Sequence, residues 1–494
     1  MTQPAFLLAE QTHTPGVQAL FALLLVGLVT CLALEEKLHA KKSVIVGVFS
    51  VVCLLLGAAF HLLPTENIVV GSHLIEPEEV GAELDARSAE EIEAAFDEEL
   101  HEGGHEVSMP VYIPGIDWSV IVILLGSSVF VDVISRSGLF KWVAIRVTKL
   151  SRGDPVMLLA YYGVMTVVFS AVLNNVTAMI IIGSLTAVSL DKLGRNDKLL
   201  AFLLTEGLLT NIGGLLTLIS SVPNILVGTA AGISFVEFLV YSLPYVVVAT
   251  GLTIWLAARS FGIRRLQSET EKLAASEMVD SFDENDGITS WAFFWFGAVI
   301  TGLFIVTVAT TSVLPWVSDL GMGFVAVAFA VVSLIRYKAE ADRIYRVVDW
   351  DLLGFFAGLF VVIYVMEMAG VLDAIGGVLA MLVELGPRFG GVALLFASAA
   401  FSSVTDNIPL AAMLAKILTA LGVEGDSPLW WSVILGANLG GNITPIGSAS
   451  TLVAVTLMHK HEAPISFAGF VRVAWPFALL HLVLAAGYLL LRAG

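Results

Sequence analysis

Long apolar stretches separated by short polar connections run from residue 17 to residue 491. At least ten of them reach the roughly 20 residues that a helix needs to cross a hydrocarbon core of about 30 Å. The apolar regions 155–190 and 390–420 are each interrupted by a polar pair, Asn174-Asn175 and Asp406-Asn407. Two apolar arms meeting at a polar tip predict a re-entrant hairpin, since non-helical backbone is tolerated at membrane depth only inside protein or beside water. The pattern predicts an all-α polytopic membrane protein with about ten crossings and two re-entrant hairpins.

Composition supports this interpretation. Of the 494 residues, 57% are hydrophobic and 14% are charged, against roughly 25% charged residues in an average soluble domain, and mean hydropathy is +0.89. The net charge is −18, but 13 of the 43 acidic residues lie in the segment 76–106. The acidity therefore belongs to one loop, and membrane lipid, not nucleic acid, is the expected surrounding.

The basic residues give the orientation, because cytoplasmic loops near membrane segments are enriched in lysine and arginine. Basic residues follow every second predicted crossing, whereas the loop 64–113 is acidic. We therefore expect a multi-pass inner (plasma) membrane protein with loop 64–113 on the outer side. The first hairpin (154–191) is expected to enter from the cytoplasm and the second hairpin (389–420) from outside, so that the two halves have opposite orientations.

These boundaries divide the chain into four parts. Residues 1–113 form a helix pair and the acidic loop, and 114–257 form the core of the first inverted repeat, with a broken helix at 199–233. Residues 258–288 are a cytoplasmic linker. Residues 289–494 form the second inverted repeat, with a broken helix at 429–457.

Two pairs of motifs carry the internal repeat. FSAVLNNV (169–176) matches FSSVTDNI (401–408), and NIGG (211–214) matches NLGG (438–441). Gly pairs and nearby prolines unwind membrane helices and expose backbone groups that can replace an ion's hydration shell. Asn, Ser and Thr add neutral oxygens, which suit a monovalent cation or hydrogen-bond an anion. Such residues also mediate close helix packing in lipid, but four elements in matched positions favour an ion site.

The segments SAVLNNVTAMI, LTNIGGLLTLISSVPN, SSVTDNIPLAA and GANLGGNITPIGSAS make residues 115–491 resemble the ion transporter superfamily. Within it, the chain is similar to the branch of arsenite permeases, NhaD-type sodium:proton antiporters and the P protein. The resemblance implies a scaffold, a moving transport domain and a homodimer, with no cofactor and no metal beyond transported sodium. The implied site residues are Asn174, Asn175, Thr177, Asn211, Gly213, Thr217, Ser221, Asn224, Thr405, Asp406, Asn407, Asn438, Gly440, Thr444, Ser448 and Thr451.

Ionisable residues inside spans are candidates for proton coupling because burying them is costly. The candidates are Asp406, Glu206 and Glu367, while Asp132 is expected to pair with Arg136 one turn on. The branch tends to have Asp-Asn at both hairpin tips, whereas the first tip here is Asn-Asn, so only the second tip carries a carboxylate.

The chain is therefore expected to be a sodium (cation):proton antiporter that works by alternating access. The other hypothesis is an anion permease, or a sodium- or proton-coupled anion symporter, for an arsenite-like oxyanion or a carboxylate. An enzyme is not expected: HEGGH (101–105) fits a zinc-protease pattern, but its Gly-Gly pair disfavours the helix which that pattern requires. A solvated turn is the expected structure there.

Overall fold

The computed structural model describes residues 15–33, 38, 40–63, 68–70, 105–107, 113, 115–173, 175–311, 314, 317–336, 348, 350–404 and 407–492. Two series of helices account for most of these residues. The first series is α1 (Pro15–Ala33), α2 (Lys42–Ala59), α3 (Trp118–Ser135), α4 (Leu139–Leu150), α5 (Pro155–Val172), α6 (Asn175–Lys192), α7 (Leu199–Gly213), α8 (Val222–Ala230) and α9 (Phe235–Ser260). Short 3-10 turns, Asn196–Lys198 and Leu218–Ser220, precede α7 and α8.

The linker carries one helix, α10 (Glu269–Asp280), and a second series follows. It consists of α11 (Trp291–Ala309), α12 (Val317–Arg336), α13 (Trp350–Met368), α14 (Val371–Glu384), α15 (Gly386–Ser402), α16 (Asn407–Ala420), α17 (Pro428–Gly440), α18 (Ala449–Lys460) and α19 (Phe467–Arg492). The helices α1–α9 thus correspond in order to α11–α19. The repeat includes α1 and α2, which precede the core marked by the sequence motifs.

Helix packing follows the same correspondence. α2 packs on α13, and its counterpart α12 packs on α3, the counterpart of α13. The hairpin arm α5 packs on α7 as α15 packs on α17. In the centre, α7 lies beside α18 and α8 lies beside α17. Since the first part of each broken helix packs on the second part of the other, the two broken helices run in opposite directions.

Local sequence explains where the hairpins begin and turn. Asp154 caps α5, because its carboxylate accepts hydrogen bonds from the backbone N–H groups of Val156 and Met157, both at 3.0 Å. Pro155 follows at the first helical position, where its missing N–H costs nothing. At the other end, Leu173 is extended and stops α5 directly before the polar tip. The first hairpin thus consists of two 18-residue helices, α5 and α6, which two residues separate in sequence.

Eight of the described helices are long and apolar enough to cross a membrane, namely α1, α2, α3, α5, α9, α11, α13 and α19. Shorter apolar helices occur within α12, α14, α15 and α16. These findings agree with the all-α, inverted-repeat transporter fold expected from the sequence. The count of ten crossings and the re-entrant course of the hairpins stay predictions.

The acidic loop contributes a pair of short strands, β1 (Ile68–Val70) and β2 (His105–Val107), which pair antiparallel with Val70 opposite His105. A strand at His105 is incompatible with the helix that the zinc-protease pattern needs. The rest of that pattern, 101–104, lies outside the described residues. The expected pair between Asp132 and Arg136 is confirmed, with 2.8 Å between Asp132 Oδ2 and Arg136 Nη2.

Candidate ion-binding site

The two broken helices bring four helix ends together inside the bundle. The breaks lie between α7 and α8 and between α17 and α18. Thr217 and Ser221 in the first break and Ser448 in the second have extended backbone conformations. Because the broken helices are antiparallel, the C-terminus of α7 meets the N-terminus of α18, and the C-terminus of α17 meets the N-terminus of α8. The backbone groups that helix ends leave unpaired are therefore concentrated here.

Asn211, near the end of α7, is bonded entirely to the other half of the chain. Its Nδ2 donates to Asn442 Oδ1 at 2.8 Å and to Ser448 Oγ at 3.0 Å. Its Oδ1 accepts from Ser450 Oγ at 3.0 Å. The side chain is buried, so these three contacts satisfy an amide that would otherwise be costly to bury.

Asn438 occupies the corresponding position on α17. Its Oδ1 accepts from Ser221 Oγ at 2.8 Å, and its Nδ2 donates to Asn224 Oδ1 at 2.9 Å and to the carbonyl of Ile434 at 2.8 Å. Each half therefore presents an asparagine to a serine that begins the second part of the opposite broken helix. We call Asn211, Ser221, Asn438 and Ser448 the amide–hydroxyl ring.

A threonine in each break bonds to the end of the first hairpin arm of the same half. Thr217 Oγ1 donates to the carbonyl of Ala171 at 2.7 Å, and Thr444 Oγ1 donates to the carbonyl of Ser403 at 2.5 Å. Both accepting carbonyls belong to the last turn or end of a first hairpin arm. The two contacts are equivalent in the repeat, so the end of each first hairpin arm is bonded to the break of its own half.

The first tip also contacts the break through Asn175. Asn175 Oδ1 lies 2.6 Å from Ser170 Oγ, which in turn lies 2.7 Å from the carbonyl of Thr210. A Cβ added to Gly214 would lie 2.8 Å from Asn175 Nδ2. Glycine at 214 therefore lets the tip amide approach the backbone of the break.

Gly213 and Gly440 serve close packing of the hairpin arms. Both are still helical, at the last positions of α7 and α17. A Cβ at Gly213 would lie 2.7 Å from the Cα of Val167, and one at Gly440 would lie 2.4 Å from the carbonyl oxygen of Ala399. The backbone unwinds after these glycines, and their role in the structure is to admit the neighbouring arm.

The remaining predicted site residues fall into two groups. Thr451 is buried in the first turn of α18 and its Oγ1 donates to the carbonyl of Ser448 at 2.8 Å, while Thr177 and Asn407 lie partly exposed in the first turns of α6 and α16. Asn174, Thr405 and Asp406 lie outside the described residues. The hydrogen bonds given above involve only amide, hydroxyl and carbonyl groups, so this part of the site is neutral.

Glu206 lies on α7, five residues before Asn211, and is fully buried. Its Oε1 accepts from Thr186 Oγ1 of α6 at 2.6 Å. Its Oε2 has no hydrogen-bond partner among the described residues. A buried carboxyl oxygen without a partner is uncommon and points to a functional role.

Glu367 differs from Glu206 in its surroundings. Its Oε2 lies 3.1 Å from the Nζ of Lys416, and both side chains are substantially exposed, by 39% and 49%. The pair joins α13 to α16. Glu367 is thus part of a surface ion pair in this structure.

Three residues of the network escaped the sequence analysis. Asn442 and Ser450 bond to Asn211, and they break the repeat, since Leu215 and Pro223 occupy the matching positions. His481, buried in α19, lies 2.7 Å by its Nε2 from Thr253 Oγ1 and 3.3 Å by its Nδ1 from Asn442 Nδ2. His481 could have been singled out from the sequence, because it is a histidine inside an apolar span, where ionisable residues are rare.

Comparisons of the sequence place the chain among transporters. The family model of citrate transporters (CitMHS) matches residues 104–436. An uncharacterized transporter of Mycobacterium tuberculosis is 31% identical over 383 residues, which cover 76% of this chain and 87% of the relative. The P protein of Mus musculus is 25% identical over 464 residues, covering 78% of this chain and 55% of that protein.

Solved structures agree on the fold. The YdaH transporter of Alcanivorax borkumensis aligns with a TM-score of 0.55 and 16% identity, covering 92% of this chain and 98% of the other. MtrF of Neisseria gonorrhoeae aligns with a TM-score of 0.54 and 12% identity, covering 91% and 94%. With two matched series of helices, a family model over most of its length and transporter relatives, the chain is a multi-pass membrane transporter that belongs to the citrate transporter family of the ion transporter superfamily.

Proposed function

We propose that this transporter exchanges a small monovalent cation, sodium in the simplest case, for protons by alternating access. The observation that carries the proposal is the amide–hydroxyl ring. Its groups are neutral oxygens and amides held at two helix breaks from opposite halves. Neutral oxygen ligands at unwound backbone suit a hard monovalent cation, which needs a replacement for its hydration shell and little additional charge.

Proton coupling requires a group that can hold a proton close to the cation. Glu206 supports this role, because it is buried within two turns of Asn211 and one carboxyl oxygen has no described partner. Asp406, at the second tip, remains the other candidate on sequence grounds. Glu367 is supported less, since its ion pair with Lys416 is exposed. Competition between a proton and a cation for one site is sufficient for exchange.

A second candidate function is anion transport, coupled to sodium or to protons. The family model is that of a citrate transporter, and the N-termini of α8 and α18 both open onto the ring. Helix N-termini carry partial positive charge and bind carboxylates and oxyanions. In an anion transporter, the neutral ring would bind either the coupling cation or the anion itself.

A transport assay distinguishes antiport from anion transport. It uses purified protein in proteoliposomes that contain a pH dye. An outward or inward sodium gradient should move protons in the parent protein, and the signal should vanish in Asp406→Asn and Asn211→Ala. The matched control is Thr205→Val, which removes a buried hydroxyl that bonds, among the described residues, to the carbonyl of Ala201 on its own helix. Sodium gradients that move no protons, together with uptake of labelled citrate, would replace antiport by the anion function.

The proposal includes an inner-membrane location, with the segment 64–113 on the outer side, and a homodimer as the working unit. Both rest on the charge pattern and the family resemblance.

A further inference from the structure

Four buried hydroxyl groups lie between Glu206 and the end of the bundle at which α5 begins. They belong to Thr186 and Ser189 on α6, Tyr162 on α5 and Thr148 on α4, and all four side chains are 0% exposed. Polar side chains are costly inside a lipid-embedded protein and mark pathways for substrates, ions or protons. We call these four residues the hydroxyl row.

The contacts within the row are short. Thr186 Oγ1 donates to Glu206 Oε1 at 2.6 Å. Ser189 lies one turn further along α6, and its Oγ is 2.8 Å from the hydroxyl of Tyr162. The same Tyr162 hydroxyl is 2.6 Å from Thr148 Oγ1. The row thus consists of two hydrogen-bonded segments, Thr186–Glu206 and Ser189–Tyr162–Thr148, which lie one turn apart on α6.

The row ends near the surface. Ser151 and Arg152 follow α4 directly: Ser151 Oγ donates to the carbonyl of Thr148 at 2.6 Å, and Arg152 is exposed. On α6, Ser189 precedes the exposed Lys192 by three residues, about 4.5 Å along the helix axis. At the other end, Glu206 precedes Asn211 by five residues, about 7.5 Å along α7.

We infer that the hydroxyl row is the route by which protons pass between the bundle surface at α4–α5 and Glu206, and that Glu206 holds the exchanged proton. The inference rests on the proposed proton exchange and names its path. It is carried by the continuous burial of the row and by the second carboxyl oxygen of Glu206, which lacks a partner among the described residues.

Proton balance along the row is simple. Within Thr148–Tyr162–Ser189 and within Thr186–Glu206, each hydroxyl oxygen accepts one proton on one side and releases its own proton on the other. Thr186 and Ser189 are neighbours three residues apart on α6, so rotation of the Thr186 side chain is the step that carries the proton from Ser189 to Thr186. One proton thus enters at Thr148 and one arrives at Glu206. The carboxylate becomes a neutral carboxylic acid, and no hydroxyl keeps a charge. Rotation of the hydroxyls then restores the starting orientation.

Apart from the row, the charged groups and the histidine on the helices around α7 lie at the helix ends. Asp191 and Lys192 end α6, His459 and Lys460 end α18, and Glu237 and Arg259 lie in the first and last turns of α9. All six are exposed. Inside these helices the described titratable groups are the tyrosines Tyr161, Tyr162, Tyr241 and Tyr245, of which Tyr162 belongs to the row.

The test measures Glu206 directly and needs no transported substrate. Infrared spectroscopy of the protein in vesicles, after a pH jump, follows the Glu206 side-chain band, identified by its absence from Glu206→Gln. Tyr162→Phe and Thr148→Val should slow the change of this band by about tenfold, since each removes one hydrogen-bonded relay. Thr186→Ser, which keeps the hydroxyl, should retain the parent rate.

Thr205→Val is the matched control, because Thr205 is buried next to Glu206 in sequence, but the hydrogen bond that the structure describes for its hydroxyl goes to Ala201 on its own helix. Its rate should equal that of the parent protein. Equal rates in Tyr162→Phe, Thr148→Val and the parent would overturn the inference, as would equal slowing in Thr205→Val. A parent protein with no sodium-driven proton movement but a slowed Glu206 response in Tyr162→Phe would refute sodium exchange and leave the proton path standing.

Discussion

Asn211 donates a hydrogen bond to Ser448 across 3.0 Å, although 237 residues separate them in sequence. Its counterpart in the repeat is the bond from Ser221 to Asn438 at 2.8 Å. The two bonds tie the end of each first half-helix to the start of the opposite second half-helix. They give the clearest tests of whether the site acts as one unit.

Double-mutant cycles should detect both bonds. We expect the pairs Asn211→Ala with Ser448→Ala and Asn438→Ala with Ser221→Ala to show coupling energies of about 0.5–1.5 kcal/mol, as for side-chain hydrogen bonds between membrane helices. Unfolding in mixed micelles gives the free energies. A cycle between Asn211→Ala and Thr301→Val is the control, because the Thr301 hydroxyl bonds to the carbonyl of Gly297 in α11. Coupling in the control as large as in the ring would contradict the assignment.

Gly213→Ala and Gly440→Ala should each destabilise the protein by about 1–3 kcal/mol, since overpacking forces helices apart. The added Cβ would overlap backbone atoms of Val167 or Ala399. Gly251→Ala is the matched control: Gly251 is also helical, in α9, and a Cβ there has no other atom within 4 Å. That variant should be neutral or up to about 1 kcal/mol more stable. Thermal unfolding in detergent compares the three, and an unchanged melting temperature in both site variants would refute the packing role.

Glu367→Gln should leave sodium-driven proton movement within about twofold of the parent, because exposed ion pairs contribute only about 0–1 kcal/mol. Lys416→Met should behave in the same way. Glu206→Gln, in contrast, should abolish the signal. The proteoliposome pH assay measures all three variants. If Glu367→Gln folds normally but loses sodium-driven proton movement, Glu367 would be a proton carrier after all.

Ion pairs dock the linker on α4. Glu284 lies 3.1 Å from Arg146 Nη2 and 3.0 Å from Lys149 Nζ, and Asp286 lies 2.9 Å from Lys141 Nζ. We expect Glu284→Gln to speed tryptic cleavage within α10 by no more than about fivefold, because such pairs are partly exposed and screened by salt. Glu277→Gln, an exposed residue of α10 itself, is the control. If neither Glu284→Gln nor added salt changes the rate of tryptic cleavage, the result would contradict the conclusion that charge holds the linker on α4.

The pH dependence of this docking follows from Asp286. The side-chain hydrogen bond and the charge of Lys141 lower the pKa of the Asp286 carboxyl. A lowered pKa means that the pair is complete above the ordinary pKa of aspartate and is lost only as pH falls through the lowered value. Cleavage of the linker should therefore be constant from about pH 6 to 8. A rise in cleavage over that range, after correction for the protease, would show that another group controls docking.

Much of the fold could be predicted from the sequence because lipid imposes strict rules. The polar pairs at 174–175 and 406–407 interrupt apolar runs, and in the structure α5 ends and α6 begins, and α15 ends and α16 begins, on either side of those points. The helix breaks after Gly213 and Gly440 were also predictable. The helices α4 and α14 were not, because at 12 and 14 residues they are shorter than the roughly 20 residues by which crossings are found.

The site was only partly predictable, since its contacts join distant segments. The motif pairs indicated Asn211, Ser221, Asn438 and Ser448, but no local pattern says that each asparagine bonds to the opposite half. Asn442, Ser450 and His481 were missed because a search for matched positions excludes residues that have no counterpart in the other repeat. His481 reaches the site only through the packing of α19 against its neighbours.

Those unmatched residues make the symmetry incomplete. Asn211 bonds to three side chains of the opposite half, whereas Asn438 bonds to two side chains and to a carbonyl of its own helix. Replacing Leu215 by its counterpart asparagine, or Asn442 by leucine, would change that balance. Separating the two halves of the chain at the ring would therefore break three side-chain bonds of Asn211 but only two of Asn438, so the two ends of the ring are held together unequally.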